Sequence, residues 1–426
     1  MRRTPAFGLR AALACVGVCA IGSGCSASAT NCAPCQAASN PAAVTASSGA
    51  GRPLSVCSFE HPGTPSEPDA QGLVRIPVSH PNLAYLGRVD CARDGAVGFA
   101  HAGGIVRFAF KGSALDFLYR DHGGNGETDT NYFAVVVDQR APQVIAMNSK
   151  QEVYPIARDL PPGEHQVEIF KRTESGQLGK PGIGRGEFLG LRVPQGSEIL
   201  PARPHAHRIE FIGDSITCGF GTEATTSEPD KVHYSSRNSS AFSAWAAITA
   251  RTLDADLMLV CYSGRGAYRN YSGLAGDPLP VLYPRIDPDD SKSKPWDFSK
   301  FTPEVVVINL GTNDFSPGGV DRAKFRDAYA KFLATLRTTY PDATFILAVG
   351  PMMSDFYPPN EKAWSSIQED LNTLLQQRRA AGDSNVHPLI LPTQTGPFGE
   401  DWHPTVMQQA SMANQAVQLI RAVRGF

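Results

Sequence analysis

A serine, a glycine, an asparagine and a histidine, far apart in a chain of 426 residues, have the side chains and neighbours that acyl transfer needs. The serine stands in Ile212-Gly213-Asp214-Ser215-Ile216-Thr217, directly after a short apolar run. At a strand-to-helix turn such a residue can project its hydroxyl into a cleft while its N–H faces a developing oxyanion. Taken alone, Gly-Asp-Ser is explained equally well as a helix N-cap. The glycine lies in Cys261-Tyr262-Ser263-Gly264-Arg265-Gly266, where glycines permit a sharp turn and leave an N–H unshielded. By itself that stretch reads as a plain loop. The asparagine follows a further apolar run, in Gly311-Thr312-Asn313-Asp314, and offers an uncharged N–H2 donor suited to an oxyanion hole. An Asx turn is the bland alternative. The histidine belongs to Glu400-Asp401-Trp402-His403-Pro404, just before the last helical pattern, where a proline at the helix start would hold it.

A serine hydroxyl is a poor nucleophile until an imidazole takes its proton during attack. Ser215 and His403, with three N–H donors around the reacting carbonyl, would suffice for hydrolysis through an acyl-enzyme. Such a centre needs no metal and no organic cofactor.

The elements that must bring these groups together change character along the chain. From about residue 66 to 200, short runs rich in β-branched and aromatic residues alternate with turn signals. Examples are Ile105–Phe110, Ala114–Tyr119, Tyr132–Val137 and His165–Phe170. That spacing predicts an antiparallel β-sandwich or jelly roll. From 205 to 426, nearly continuous apolar strands are expected at Arg208–Ile212, Asp256–Cys261, Glu304–Leu310, Thr344–Val349 and Val386–Leu391. Helical patterns over 241–253, 321–339, 362–381 and after Pro404 separate or follow them. Strands apolar on both faces, alternating with helices, predict an α/β fold with a parallel sheet covered on both sides. Active sites in such folds lie beyond the carboxyl ends of the strands. Ser215, Gly264 and Asn313 each follow a different strand.

Serine after the first strand, glycine after the second, asparagine after the third and histidine near the end: this order resembles the SGNH (GDSL-like) hydrolase superfamily. The resemblance implies Ser215 as nucleophile and His403 as general base. It implies an oxyanion hole made by the Ser215 and Gly264 N–H groups and the Asn313 side chain. The superfamily usually carries an aspartate three residues before the histidine, where this sequence has Glu400. Glu400, the adjacent Asp401 or a backbone carbonyl could therefore orient the ring. A sandwich followed by Arg208–Gly221, Tyr262–Gly266 and Asp401–Pro404 is also similar to carbohydrate esterase family two, as is Phe170-Lys-Arg-Thr-Glu174. That likeness implies an acetylated polysaccharide or sugar as substrate, with Trp402 as a stacking platform for a sugar ring. A lipase or thioesterase on the same scaffold is the alternative enzyme. A non-catalytic carbohydrate-binding lipoprotein is the alternative of another class, and the four intact residues argue against it.

Composition bounds the partners. The formal net charge is −2, without a long run of either sign, so a phosphate-tracking basic face is not indicated and no nucleic-acid partner is expected. Arg2, Arg3 and Arg10, the apolar stretch Ala11–Ile21 and small residues before Cys25 read as an export signal, with Cys25 placed for lipidation and membrane anchoring. The organisation expected is a signal over 1–25, a flexible linker over 26–65, a sandwich over 66–200 and a hydrolase-type region over 205–426. Cys57–Cys91 and Cys218–Cys261 are the disulfides expected in an oxidising compartment, with buried thiols as the alternative for the second pair. Cys32-x-x-Cys35 lacks the neighbours of a redox or zinc site.

Overall fold

Alternating burial along the strands shows which face each one commits. In His165–Lys171 the residues His165, Val167 and Ile169 are buried while Gln166 and Glu168 are partly exposed, the period of two of a strand with one face in a core. The computed structural model describes residues 54–138, 140–176 and 184–426. The described residues all fall within one compact unit. The expectations about Cys25, Cys32 and Cys35 fall outside the described residues.

Two antiparallel sheets come first. One has the strand order Val89–Arg93, Ala96–Phe99, Gly186–Pro194, Leu115–Asp121, Val153–Ala157, with Leu73–Ile76 also paired to Gly186–Pro194. The other runs Glu198–Leu200, Ile105–Lys111, His165–Lys171, Tyr132–Val137, Gln143–Ala146, with Ala84–Leu86 against Ile105–Lys111. Aromatic rings from the two sheets meet between them. Phe117 and Phe133 lie 5.2 Å apart between centroids, Tyr119 and Phe133 4.9 Å, and Tyr85 and Phe188 6.0 Å. The sheets therefore form a β-sandwich, as the strand spacing predicts.

The expected linker over 26–65 needs correction at its end. Val56 is buried in the sandwich core, its N–H donates to the Tyr85 carbonyl at 2.8 Å, and Cys57 is bonded to Cys91. A polar-looking stretch is thus tied down by one apolar side chain and one covalent bond.

The five strands that follow are all parallel: β1 (His207–Gly213), β2 (Ala255–Cys261), β3 (Val305–Asn309), β4 (Thr344–Val349) and β5 (Val386–Ile390). Their order in the sheet is β2-β1-β3-β4-β5. Six helices accompany them: α1 (Ser215–Cys218), α2 (Trp245–Thr252), α3 (Leu279–Leu282), α4 (Arg322–Thr339), α5 (Ala363–Ala380) and α6 (Val406–Arg424). Val305 and Val307 of β3 pack with Trp245 and Ala413 of α2 and α6 on one face. Val306 and Ile308 pack with Phe325 and Leu371 of α4 and α5 on the other. Burial on both faces explains why these strands read as continuous apolar runs. Asp321 caps α4 by accepting from the Lys324 N–H at 3.1 Å, and Thr405 with Gln408 makes a capping box at α6. The helix expected over 241–253 begins later, at Trp245. Residues 241–243 form a separate 3-10 turn, which Ser240 caps from its side chain.

Strand β1 sits between β2 and β3, so chain order changes direction beside it. In sheets of this kind the loops at that point diverge and open a crevice at the carboxyl ends.

Candidate active site

The crevice is built first from β1. Gly213 ends that strand, and a Cβ there would stand 2.1 Å from Thr217 Oγ1, so only glycine allows the chain to turn this tightly into α1. Asp214 caps the turn by accepting from the Ile216 N–H at 3.1 Å. Burial, with Asp314 and Glu174 nearby, pushes its carboxyl up to about 7. Ser215, the first residue of α1, is buried, and its N–H is among those that no intrahelical carbonyl can accept.

His403 Nε2 lies 2.8 Å from Ser215 Oγ. The other ring nitrogen, Nδ1, is 3.0 Å from the Glu400 carbonyl and 3.1 Å from the Asp401 carbonyl. A carbonyl oxygen only accepts, so Nδ1 carries the proton and Nε2 presents its lone pair to the serine hydroxyl. Burial lowers the imidazole to about 4, the two carbonyls and Asp401 opposing that shift, and the ring is neutral at pH 7. Phe220 stacks on it with 4.2 Å between centroids.

The turn that carries the histidine is clipped to the segment after α1. Glu400 N–H donates to the Gly221 carbonyl at 3.2 Å, Thr222 Oγ1 to the Pro404 carbonyl at 2.8 Å, and Val406 N–H to the Thr222 carbonyl at 3.0 Å. Asp401 and Trp402 both adopt left-handed backbone, with φ of 46° and 66°. Such conformations cost about 1 to 3 kcal/mol each and persist where the surroundings hold them. Here the turn brings two successive carbonyls to one nitrogen. Pro404 precedes the cap Thr405 and so lies two positions before the first helical residue, Val406, and not at the helix start expected for it.

The expectation that the Glu400 carboxylate orients His403 does not hold. Glu400 Oε2 accepts from the Ser235 N–H at 2.8 Å and Oε1 from Asn238 Nδ2 at 2.6 Å. The Asp401 carboxylate likewise turns away, to His233 Nδ1 at 2.8 Å and the Tyr234 N–H at 3.1 Å. Both carboxylates are consumed in anchoring residues 233–238, and the main chain of the same two residues takes the orienting role. Sequence spacing locates the residue but not which of its oxygens is used.

Asn313 follows β3 on a buried loop. Its Nδ2 donates to the Arg265 carbonyl at 3.0 Å and lies 3.2 Å from Asp214 Oδ2. The amide therefore sits between the Ser215 turn and the loop that carries Gly264. Gly264 has φ of +76°, and its carbonyl accepts from the Tyr271 N–H at 2.9 Å. Asp314, beside Asn313, accepts from the N–H groups of Ala267, Tyr268 and Arg269 at 2.9, 2.7 and 2.8 Å. Burial nevertheless raises its carboxyl above the ordinary range. This aspartate ties the loops after β2 and β3 together, and a generic turn signal in the sequence concealed it.

Trp402, the residue before the histidine, is 46% exposed, with its Nε1 donating to Asp230 Oδ1 at 2.9 Å and its ring 4.9 Å from Phe398. Tyr271, 48% exposed, has its Cβ 4.0 Å from where a Cβ of Gly264 would lie. Nothing in its spacing marked Tyr271 in advance.

Among the described residues two disulfides are formed, Cys57–Cys91 and Cys218–Cys261. The second joins α1, three residues after Ser215, to the end of β2, three residues before Gly264.

Comparison with known proteins agrees with this geometry. Residues 85–202 match the family model described as carbohydrate esterase 2 N-terminal, and 211–410 match the GDSL-like lipase/acylhydrolase family. The cellulase/esterase CelE of Acetivibrio thermocellus is 32% identical over 349 residues, covering 82% of this chain but only 40% of the relative. An acetylxylan esterase / glucomannan deacetylase of Cellvibrio japonicus is 30% identical over 354 residues, covering 82% of this chain and 90% of the relative. Among solved structures, a family two carbohydrate esterase from Clostridium thermocellum in complex with cellohexaose aligns with a TM-score of 0.72 at 32% identity. That alignment covers 80% of this chain and 99% of the other. With a sandwich, a parallel sheet and a Ser-His pair at the sheet's carboxyl edge, the chain belongs to carbohydrate esterase family two, within the GDSL-like ester hydrolases.

Proposed function

We propose that Ser215 and His403 remove acetyl groups from a polysaccharide or sugar through an acetyl-enzyme. The observation that carries this reading is the 2.8 Å contact of Nε2 with Oγ in a ring whose tautomer two carbonyls fix. Ser215 Oγ attacks the acetyl carbonyl carbon while its proton passes to Nε2. The oxyanion is met by the N–H groups of Ser215 and Gly264, each such donor contributing on the order of 3 kcal/mol in a dry site. Asn313 Nδ2 joins them once substrate draws one of its hydrogens from the Arg265 carbonyl or Asp214 Oδ2, which hold both of them without substrate. The imidazolium then returns its proton to the departing sugar hydroxyl. Water, deprotonated by Nε2, attacks the acetyl-enzyme and releases acetate. Main-chain dipoles at Nδ1 take the place of a carboxylate, so the centre is a dyad held by carbonyls.

The half-exposed indole of Trp402 beside His403 supports a sugar as the alcohol part, since an apolar sugar face pairs well with an aromatic ring. The relatives named for acetylxylan and glucomannan deacetylation support the same class of substrate. The test is acetate release from acetylated xylan and glucomannan by wild type and Ser215→Ala. Wild type should release acetate and the variant should be at least ~1000-fold slower, as for loss of a serine nucleophile. Equal rates would reject the assignment, and preference for octanoyl over acetyl p-nitrophenyl esters would reject the acetyl specificity.

Export and a lipidated Cys25 complete the proposal. The basic, apolar and small-residue order before Cys25 supports it, as do two disulfides of the kind that persist in oxidising compartments. Labelled palmitate should enter wild type and not Cys25→Ser.

A further inference from the structure

The segment that leaves sandwich strand His165–Lys171 is the least expected part of the interior. Lys171, Arg172, Thr173, Glu174 and Ser175 are all at most 4% exposed. Burying so many charged groups is costly unless each has partners. Their partners are mostly loops of the α/β sheet. Arg172 pairs with Glu223 at 2.5 Å and donates to the Arg237 carbonyl at 3.3 Å. Lys171 Nζ donates to the Ala100 and Thr173 carbonyls, and burial lowers it to about 7 against the pull of Asp121, Glu174 and Asp289.

Glu174 has the most pointed contacts. Its Oε2 accepts from the Ser263 N–H at 2.7 Å, and its Oε1 accepts from the Ser263 hydroxyl. The same carboxylate lies 3.3 Å from Cys218 Sγ, which is bonded to Cys261. One side chain from the sandwich therefore grips the residue before Gly264 and touches the end of the short helix that begins at Ser215. The peptide joining Ser263 to Gly264 bears the Gly264 N–H. Gly264 itself is left-handed; the Tyr271 N–H holds its carbonyl at 2.9 Å, and its N–H side is set by the peptide it shares with Ser263.

We infer that Glu174 is a positioning residue for the oxyanion hole: through Ser263 it aims the Gly264 N–H at the reacting carbonyl, and the sandwich thereby completes the active site. This inference rests on the assignment of Ser215 and Gly264 above. Misdirecting one oxyanion donor costs transition-state binding and leaves ground-state binding of the sugar untouched, so the effect falls on kcat.

The experiment uses the full chain and p-nitrophenyl acetate, with active sites counted by an organophosphate that labels Ser215. Glu174→Ala should lower kcat per labelled site about 100-fold with KM within threefold of wild type. Glu174→Asp keeps the charge but is one methylene too short to hold both Ser263 groups, and should lose at least tenfold. Glu174→Gln still offers an oxygen to the Ser263 N–H and an N–H2 to its hydroxyl, and should recover to within about tenfold of wild type. A per-site kcat unchanged within threefold in the Ala variant overturns the inference, as does a loss that vanishes once sites are counted. Should the Ala variant fail to fold, an unchanged per-site kcat in Glu174→Asp overturns it. Ser215→Ala separates the two readings, because its inactivity beside an active Glu174→Ala would keep the nucleophile and discard the positioning role.

Discussion

At the scale of single residues, the behaviour of His403 follows from where it is buried. Its imidazole is lowered to about 4 by desolvation, so the base is already neutral across the mildly acidic range. The rate kcat/KM should therefore hold steady as pH falls from 7 and drop with an acidic limb near 4, measured with p-nitrophenyl acetate in constant-ionic-strength buffers. A limb near the ordinary histidine value of about 6.5 would show that the ring is solvated or paired with a carboxylate. Glu400 gives the complementary expectation. Since its carboxylate holds Ser235 and Asn238 and not the ring, Glu400→Gln should cost less than tenfold in kcat, far short of the roughly 10,000-fold known for a triad carboxylate that fixes the tautomer. Chemical denaturation should show instead a stability loss of about 1 to 3 kcal/mol, because the amide nitrogen would face the Asn238 or Ser235 donor.

Elements place these residues by closing short loops around the carboxyl end of the parallel sheet. The cap at Asp214, the three N–H groups gathered by Asp314 and the clip between residues 221–222 and 400–406 each fix one loop to another. In the sandwich, Cys57–Cys91 spans a sequence separation of 34 and lies next to the buried Val56. Replacing both cysteines with serine should lower unfolding free energy by on the order of 3 to 4 kcal/mol, read by urea denaturation. Turnover of p-nitrophenyl acetate at about 25 °C should be retained, since neither residue belongs to the crevice loops described above. The apolar periodicity made these strands and the longer helices legible, because β3 and β4 are buried on both faces and α4 and α6 carry one apolar stripe. The 3-10 turns were not legible. They are set by single caps such as Ser240, a residue type equally at home in any loop.

Across the whole molecule, sandwich and parallel sheet meet through buried charge. Arg88 lies 3.3 Å from Glu210 of β1, and both side chains are fully buried. The guanidinium also stands 4.3 Å from the centre of the Tyr283 ring, and Tyr283 Oη bonds both Glu210 oxygens at 3.0 Å. Removing one partner of such a pair leaves an uncompensated buried charge. Arg88→Ala should destabilise the whole unit by about 3 to 5 kcal/mol, whereas Arg88→Met with Glu210→Leu should recover much of that loss. A single cooperative transition in both variants, followed by circular dichroism, is the expected form of unfolding.

The chain's order of residue types decided much in advance: a nucleophile after one strand, a small residue after the next, an amide after the third and an imidazole before the last helix. Hydrophobic period and turn chemistry are local, so they can be read along a line. Which oxygen of Glu400 reaches the ring, and that Glu174 of the sandwich grips Ser263 across 89 positions, were decided only by folding. Both are contacts between groups distant in sequence, or between alternative atoms of one residue. The competition for each partner is settled by the shape of the crevice, not by the spacing of letters.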